Sequence, residues 1–300
     1  MELTNLEKIL FPAEGITKGE FIGYYEKIAP IMLPHIKGRL ISMQRFPEGP
    51  GEGQFFQKQA PAYFPEWVNR VAVNLRHEGE KTYITCENKE TLVYLANLVC
   101  IPHVWLSRVS KNNYPDRLIF DLDPPEFAGN GSSPEPARYA ALILKEALGD
   151  IGVEPFLMAT GGRGFHVVIP LDGSADFKES FAFARAFAGA LVDMAPDQFT
   201  MELPKAKRGG RVFIDIFRNA FAQTAIAPYA VKSNPGAPVA VPVSWREISG
   251  KKPVLPSSFN IRNVFKRISK KGDLWKDIDS KPYSIARMAK ALRNAGGKGA

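Results

Sequence analysis

Residues 118–123 read LIFDLD, and this stretch decides which fold we expect. Its apolar residues are typical of a β-strand, and side chains two positions apart on a strand lie on the same face. Asp121 and Asp123 are therefore predicted to project together, while Leu122 points into the core. Three further runs have the composition of strands: 155–160 (PFLMAT), 165–171 (FHVVIPL) and 211–217 (RVFIDIF).

Strands and helices are mixed along the rest of the chain without strict alternation. Additional strands are predicted at 39–46 and, around a turn His77-Glu78-Gly79-Glu80, within 71–86, with a Pro- and Gly-rich break at 47–53. Helices are predicted at 4–35 (after a short lead-in, with Thr17 as a cap), 89–99, 134–151, 176–195 and in the proline-punctuated part 240–295, before a flexible end at 294–300. The pattern favours an α+β fold with mixed or antiparallel central sheets flanked by helices.

The bulk composition excludes several classes of protein. The chain has 300 residues, of which 45% are hydrophobic and 23% charged, which suits one large globular domain or two interleaved lobes. All apolar stretches fall short of the roughly 20 residues that span a bilayer, and the N-terminus lacks the layout of a signal peptide. Two cysteines and four histidines argue against a disulfide framework and a structural zinc site. We therefore expect a protein of the reducing cytoplasm, with no membrane partner.

The positive charge is concentrated near the C-terminus. The formal net charge is +8, yet the residues from Lys251 onward contain 13 Lys and Arg against 3 Asp, a net +10 that leaves −2 for the first 250 residues. Such a patch suits a polyanion such as nucleic acid. A solvated helix followed by a charged tail explains the same residues equally well.

The two acids of LIFDLD form a candidate metal site. Like charges this close repel unless a cation lies between them, and oxygen ligands at this spacing suit Mg²⁺ or Mn²⁺. Two exposed aspartates at a strand end are the plainer alternative. Asp215 ends another apolar run and is a candidate third ligand, because an unpaired buried carboxylate is costly. For Asp215 the alternative is a hydrogen-bonded structural residue.

A glycine-rich segment, TGGRGFH (160–166), joins two of the predicted strands. Its glycines let backbone N–H groups approach an anion closely, and Thr160, Arg163 and His166 add donors. It differs from a Walker A loop and from a dinucleotide fingerprint, since no helix follows it. A glycine-rich hairpin with an incidental histidine is the alternative. Clustered carboxylates beside a phosphate loop are what two-metal nucleotidyl transfer requires.

Several ordered motifs give the chain a resemblance to a known family. FDLDP (120–124), TGGRGFH (160–166), RVFID (211–215) followed by Arg218-Asn219, and APY (227–229) resemble the polymerase domain of bacterial ligase D and its stand-alone end-joining relatives in the archaeo-eukaryotic primase superfamily. The resemblance runs from LTNLEKILFP (3–12) to about residue 242 and continues more weakly beyond. It implies one primase-polymerase domain over 1–300, with an N-terminal part (about 1–110), a catalytic core (111–245) and a basic helical part (246–300).

The resemblance also implies an active site. Asp121, Asp123 and Asp215 match catalytic ligands of two Mn²⁺ or Mg²⁺ ions. The matching nucleotide-binding residues are Thr160 (where Ser is more usual), Gly161, Gly162, Arg163 (where Lys is common), His166, Arg218 and Lys232. His103 stands where the family places an active-site histidine. Its flanks depart from the usual Glu-Leu-His-Pro-Trp, and a packed histidine beside Trp105 is the alternative.

DNA contacts are implied in the same way. Lys8 and Lys18 match a pair that grips the 5′-phosphate across a gap, and Phe55 and Phe56 match an aromatic pair on which the template is bent and stacked. The remaining implied contacts are Arg45, Lys58, Lys205, Lys207 and Arg208, the last three in a flexible loop that helps configure the active site. Surface lysines, core and edge phenylalanines and a solvated basic turn are the plainer interpretations.

We therefore expect a DNA repair polymerase, associated with the nucleoid, that extends primer 3′-hydroxyls at gaps or double-strand-break ends during non-homologous end joining. The family prefers ribonucleotides and Mn²⁺, although NTP and dNTP are both candidate substrates. The expected protein partners are Ku and a separate DNA ligase, because the 300 residues contain no ligase or nuclease segment. The alternatives are a primase that starts chains de novo, a non-catalytic DNA-end binding module, and a two-metal nuclease.

Overall fold

The computed structural model describes residues 1–51, 53–75, 78–126 and 133–296. Residue His77 of the predicted turn and the last residues of the predicted flexible end, 297–300, lie outside the described residues. The strands are β1 Ile9–Phe11, β2 Ile16–Thr17, β3 Ile41–Arg45, β4 Phe55–Gln57, β5 Arg70–Leu75, β6 Gly79–Ile84, β7 Cys100–Trp105, β8 Arg117–Asp123, β9 Phe156–Ala159, β10 Phe165–Pro170, β11 Phe199–Thr200, β12 Val212–Asp215, β13 Thr224–Ile226 and β14 Val241–Val243. The helices are α1 Lys18–Ile36, α2 Lys89–Asn97, α3 Glu135–Asp150, α4 Phe177–Met194, α5 Trp245–Ser249, α6 Val264–Lys271 and α7 Ile285–Gly296.

The chain divides into two compact units, each assembled from separate stretches of sequence. The first unit contains residues 1–110, 224–241 and 257–273. The second contains residues 111–223, 242–256 and 274–300. A contiguous cut of the chain therefore reproduces neither unit.

A six-stranded sheet forms the centre of the first unit. Its strand order is β13-β7-β3-β6-β5, and β4 pairs with β3. The pairings of β3 with β4, β6 and β7 are all antiparallel. Helix α1 is tied to the 224–241 stretch by buried hydroxyls, since Tyr24 donates to the Tyr229 carbonyl at 2.7 Å and the Val231 N–H donates to Tyr25 at 3.0 Å. The strands β4, β7 and β13 were not predicted, because short strands with prolines or without alternation carry little periodic signal.

The N-terminal helix is shorter than the predicted 4–35. Residues 9–17 instead form a small antiparallel hairpin of β1 and β2, with a 3₁₀ turn at Pro12–Glu14. Gly15 follows in the left-handed region at φ 61°, which a helix does not tolerate. The predicted cap is confirmed, since Thr17 accepts from the Glu20 N–H and the Glu20 carboxylate accepts from the Thr17 N–H.

A second six-stranded sheet forms the centre of the second unit. Its order is β11-β12-β8-β10-β9-β14, with β8 paired antiparallel to both β10 and β12 and β11 parallel to β12. The predicted strands 118–123, 155–160, 165–171 and 211–217 are its central members. The α+β class with mixed sheets flanked by helices is confirmed.

Strand β8 has one apolar and one polar face. On the apolar face the Phe120 ring packs on Phe187 of α4, with ring centroids 5.4 Å apart. Alternation places Asp121 on the opposite face. The buried Asn219 side chain fixes the strand, since it accepts from the Ile119 N–H and donates to the Ile119 carbonyl, both at 2.7 Å.

Among the described residues, no helix combines the length and apolar character that a membrane crossing needs.

Candidate active site

Three polar side chains form a row across adjacent strands of the second sheet. The antiparallel register places His166 of β10 opposite Asp121 of β8, and Asp121 opposite Asp215 of β12. Directly opposed residues project to the same face. All three are buried, with 3% to 9% of each residue exposed. His166 Nε2 lies 3.4 Å from Asp121 Oδ1. The sheet therefore brings together two of the three predicted metal ligands and one predicted phosphate ligand.

Arg218 holds the two acids together. It lies on the 3₁₀ turn Phe217–Asn219 directly after β12. Its Nε is 3.5 Å from Asp121 Oδ2 and 3.3 Å from Asp215 Oδ2. A positive charge between two carboxylates offsets their repulsion. The guanidinium thus contacts carboxylate oxygens of the two acids that are predicted to hold a divalent cation.

Burial raises the pKa of Asp215 above its usual value. The charge of Arg218 opposes this rise, and the neighbouring charge of Asp121 adds to it. The Phe217 N–H donates to Asp215 Oδ1 at 2.8 Å and also favours the ionised form. Desolvation is the largest of these effects, so the site disfavours uncompensated negative charge.

These acids fit a divalent cation by their chemistry. Buried carboxylate oxygens in one register row suit Mg²⁺ or Mn²⁺, and His166 Nδ1 is a buried ring nitrogen with no hydrogen-bond partner among the described residues. Asp123 lies two residues beyond Asp121 on β8, is half-buried and stands on the same face. Within the described ranges, no three His, Cys, Asp or Glu side chains already converge as a complete metal site. The assignment of Asp123 as a third ligand therefore stays a prediction.

The glycine-rich loop 160–164 is closed by its own hydrogen bonds. The Thr160 hydroxyl donates to the Gly164 carbonyl at 2.8 Å and accepts from the Gly162 N–H at 3.3 Å. The Gly161 N–H donates to the Pro256 carbonyl at 2.9 Å. Two of the N–H groups expected to face a phosphate are thus engaged within the protein. Thr160 consequently shapes the loop, and the exposed Arg163 side chain is its main source of positive charge.

Glu126 joins the glycine loop to the basic loop that contains the 3₁₀ turn Lys205–Lys207. Its Oε1 lies 2.7 Å from Arg163 Nη1 and 2.9 Å from Lys205 Nζ. These two cations lower the pKa of Glu126, the Lys205 hydrogen bond most. Sequence reasoning missed Glu126, because a lone acid after a Pro-Pro pair carries no motif.

The remaining members of the basic loop differ in their contacts. Arg208 donates to the carbonyls of Glu202 and Leu203, and its guanidinium lies 3.8 Å from the centre of the Phe213 ring. The Lys207 side chain is exposed. Arg208 is therefore held by its own loop and by β12.

The other predicted site residues belong to the first unit. His103 Nε2 lies 2.9 Å from Gln44 Oε1, and Gln44 in turn donates to Gln54 and Ser233. The Phe56 ring packs on His103, with centroids 5.1 Å apart. His103 is thus part of a polar cluster of side chains, whose glutamines and serine lie in unremarkable sequence and were not predicted.

Phe55 and Phe56 project from opposite faces of β4, as neighbours on a strand must. Phe56 opposes Gln44 in the β3–β4 register, and Phe55 opposes Arg45. The two rings are 46% and 58% exposed, which is unusual for phenylalanine. Nearby, Lys58 lies 3.6 Å from the Glu78 carboxylate.

Lys8 and Lys18 are brought together by the N-terminal hairpin. The Lys18 N–H donates to the Lys8 carbonyl at 2.8 Å. Burial lowers the pKa of Lys18, and the charge of Lys8 lowers it further. Lys8 Nζ contacts Glu48 at 2.8 Å, and Lys18 Nζ donates to the Thr4 hydroxyl at 3.1 Å. The site therefore disfavours the charged form of Lys18, and a nearby anion would stabilise that charge. Lys232, also in this unit, is half-buried.

Comparison with known proteins identifies the family. The family model of the LigD primase-polymerase domain matches residues 17–275. The chain belongs to the LigD primase-polymerase domain family. It is 32% identical over 285 residues to the multifunctional non-homologous end joining protein LigD of Mycolicibacterium smegmatis, and 33% identical over 300 residues to LigD of Mycobacterium tuberculosis. These alignments cover 93% and 97% of the chain.

The fold comparison agrees with this family. The chain resembles the polymerase domain of Mycobacterium tuberculosis ligase D, solved in complex with DNA, with a TM-score of 0.85 and 30% identity over 94% of this chain and 99% of that one. The chain spans only 36% and 38% of the two full-length LigD relatives. The predicted family is confirmed. The LigD primase-polymerase domains are metal-dependent nucleotidyltransferases.

Gly164 is required for the close approach of the glycine loop to β8. A methyl group at this position would overlap the Leu122 carbonyl oxygen, between Asp121 and Asp123. We expect Gly164→Ala to lower the free energy of unfolding by about 3 kcal/mol, because backbone atoms cannot move aside cheaply. Urea unfolding measures this change. Gly149→Ala is the matched control, since the open α3 position should gain roughly 0.5–1 kcal/mol. Equal stabilities of the two variants would contradict the packing argument.

The raised pKa of Asp215 predicts that the stability of the fold depends on pH. Because its folded pKa is raised, the folded state binds this proton more tightly than the unfolded state, and stability falls as pH rises through the interval between the two pKa values. In EDTA, Asp215→Asn should therefore stabilise the protein at pH 7 by on the order of 1 kcal/mol, with the gain vanishing below the unfolded pKa of an aspartate. Urea titrations at several pH values test this, with the exposed Asp193→Asn as control. Destabilisation at pH 7 would disprove it.

Proposed function

We propose that the chain is a polymerase that extends a primer 3′-hydroxyl at gaps or broken DNA ends in non-homologous end joining. The observation that carries the proposal is the buried row His166–Asp121–Asp215 beside the cationic glycine loop. The family supports polymerase chemistry, and the names of the LigD relatives support end joining. Ku and a separate ligase stay predicted partners.

The second unit would supply the chemistry. Asp121 and Asp215, with Asp123 as the predicted third ligand, would hold the divalent cations, which supply activation of the 3′-hydroxyl and charge neutralisation at the polyphosphate. Arg218 would then leave the two carboxylates and bind the phosphates of the nucleotide. Its side chain is 41% exposed and is therefore accessible to a ligand. Arg163 and Lys205 would bind phosphate after leaving Glu126, and His166 would orient the triphosphate from the buried end of the row.

The first unit would grip the DNA. Lys8 and Lys18 lie together and would bind a 5′-phosphate, while Phe56 with its His103 neighbour would support the templating base. Lysine suits a phosphate as a point charge. Manganese and ribonucleotides are the preferences that we propose from the resemblance. De novo priming is the second candidate, and extension products on unprimed single strands would distinguish it.

Loss of either central acid should stop extension. We expect Asp121→Asn to lower primer extension at least about a hundredfold, because several kcal/mol of charge stabilisation would be lost. The assay is single-nucleotide incorporation on a gapped duplex with Mn²⁺, using ribo- and deoxynucleotides. DNA affinity should stay at the wild-type value. Asp193→Asn, an exposed acid in α4, is the control and should extend normally. Extension by Asp121→Asn at the wild-type rate would refute the proposed active site.

Lys18 should decide the preference for a downstream 5′-phosphate. We expect wild-type protein to bind a phosphorylated gap more tightly than an unphosphorylated one. Lys18→Met keeps the aliphatic stem but removes the charge, and should abolish a preference of roughly tenfold. Fluorescence anisotropy with both DNAs measures it, and Lys178→Met in α4 is the control. A preference that survives in Lys18→Met would remove these lysines from the proposal.

A further inference from the structure

Large aromatic side chains are exposed in the loop between β4 and β5. Tyr63 is 62% exposed and Trp67 is 47% exposed, and neither is used by the site described above. Exposed aromatic rings that lie close together mark interaction surfaces more often than single exposed residues do. These two residues belong to the first unit, as does Phe55.

The two exposed rings rest on a buried aromatic support. Tyr63 packs on Phe64 with ring centroids 5.4 Å apart, and Phe64 packs on Tyr94 at 5.2 Å. Trp67 packs on the same Tyr94 at 5.5 Å. All three contacts are edge-to-face, an arrangement that aromatic pairs favour. Tyr63 and Trp67 are thus held in fixed positions while their outer faces stay exposed.

Arg45 connects this support to Phe55. Its guanidinium carbon lies 5.7 Å from the centre of the Phe55 ring, and its Nη1 donates to the Tyr63 hydroxyl at 3.0 Å. Its Nε donates to the Leu98 carbonyl at 3.2 Å, which fixes the side chain. Arg45 thus contacts both Phe55 and Tyr63, while Trp67 is connected to Tyr63 through the buried support. The four residues Phe55, Arg45, Tyr63 and Trp67 are here called the aromatic face. Phe56 projects from the other face of β4 and is not part of it.

We propose that the aromatic face binds unpaired bases of single-stranded DNA, as a second stacking surface separate from the one around Phe56. The proposal rests on the proposed function, in which the first unit binds DNA. Aromatic rings stack on bases of any sequence, and an arginine between them adds cation–π attraction and a phosphate donor. Single-stranded tails at broken ends would therefore bind without sequence preference.

The two arginines of this region favour nucleic acid over an apolar protein partner, and they are accompanied by one exposed acid in the loop, Glu66. Arg45 lies between Phe55 and Tyr63, and Arg70 is a second, half-buried arginine where the loop meets β5. Arg70 also donates to the Phe64 carbonyl at 2.6 Å, which holds the loop. A guanidinium group between two exposed rings suits a single strand, which offers both bases and phosphates.

The test compares tailed and blunt DNA. Anisotropy is measured with a labelled duplex that carries a tail of about ten unpaired thymidines, a length within the usual site size, and with the same duplex lacking the tail. Wild-type protein should bind the tailed DNA more tightly. The double variant Tyr63→Ala/Trp67→Ala should lose roughly tenfold or more in affinity for the tailed DNA. Its affinity for blunt DNA should be unchanged.

Two control variants sharpen the test. Tyr63→Phe/Trp67→Phe keeps both rings and should bind tailed DNA like the wild type. Tyr139→Ala removes an exposed aromatic residue of α3 in the second unit and should have no effect. Unchanged tail affinity in the alanine double variant would overturn the aromatic face. An equal loss for tailed and blunt DNA would overturn it as well.

Extension of a gapped duplex without unpaired tails separates this inference from the proposed function. Normal extension by the alanine double variant, with weakened tail binding, supports both. Normal extension with tail affinity that does not depend on the rings overturns only the aromatic face. A wild-type protein that binds tails through these rings but extends no primer overturns only the polymerase proposal.

Discussion

The second unit depends on the repulsion between two carboxylates that its sheet forces together. Asp121 and Asp215 oppose each other on adjacent strands and are both buried, and the charge of Asp121 disfavours the ionised form of Asp215. Uncompensated buried charge is among the largest penalties that a fold can carry. Arg218 provides the compensation in the structure, and the proposed metal ions would provide it during catalysis. The same arrangement therefore accounts for the ion pair with Arg218 and would suit the proposed cation site.

The surrounding residues keep this unfavourable pair in place. Asn219 saturates the backbone of Ile119 on β8, and Gly164 permits the loop to lie against Leu122. Thr160 closes the same loop from within. Each of these contacts is short-range and rigid. Such contacts suit a site whose two carboxylates repel each other and must be held in place. The Glu126 carboxylate neutralises the charges of Arg163 and Lys205 in the glycine loop and the basic loop. Arg218 neutralises the charges of the two acids in the same way.

The first unit carries a different kind of surface, made of rings and cations on a sheet and its loops. The split of Phe55 and Phe56 between the two faces of β4 gives each ring its own neighbours. Phe56 joins His103 and its amide cluster, whereas Phe55 joins Arg45 and Tyr63. One short strand thus contributes a ring to each of the two proposed binding surfaces, which a sequence motif of adjacent aromatics does not reveal.

Local pattern determined much of this protein. The strand period put Asp121 and Asp123 on one face, and the ordered motifs identified the family. Thr17 was predicted as a helix cap, although the predicted helix began too early, at residue 4. Only the tertiary structure decided which residues meet across the chain. The register of β8 with β10 and β12 aligned His166, Asp121 and Asp215 in one row. The turn after β12 then placed Arg218 in contact with both acids. Glu126 and the aromatic face around Tyr63 and Trp67 likewise emerged only from contacts. The physical reason is that periodicity is a property of neighbouring residues, whereas register, burial and ion pairing depend on residues far apart in sequence.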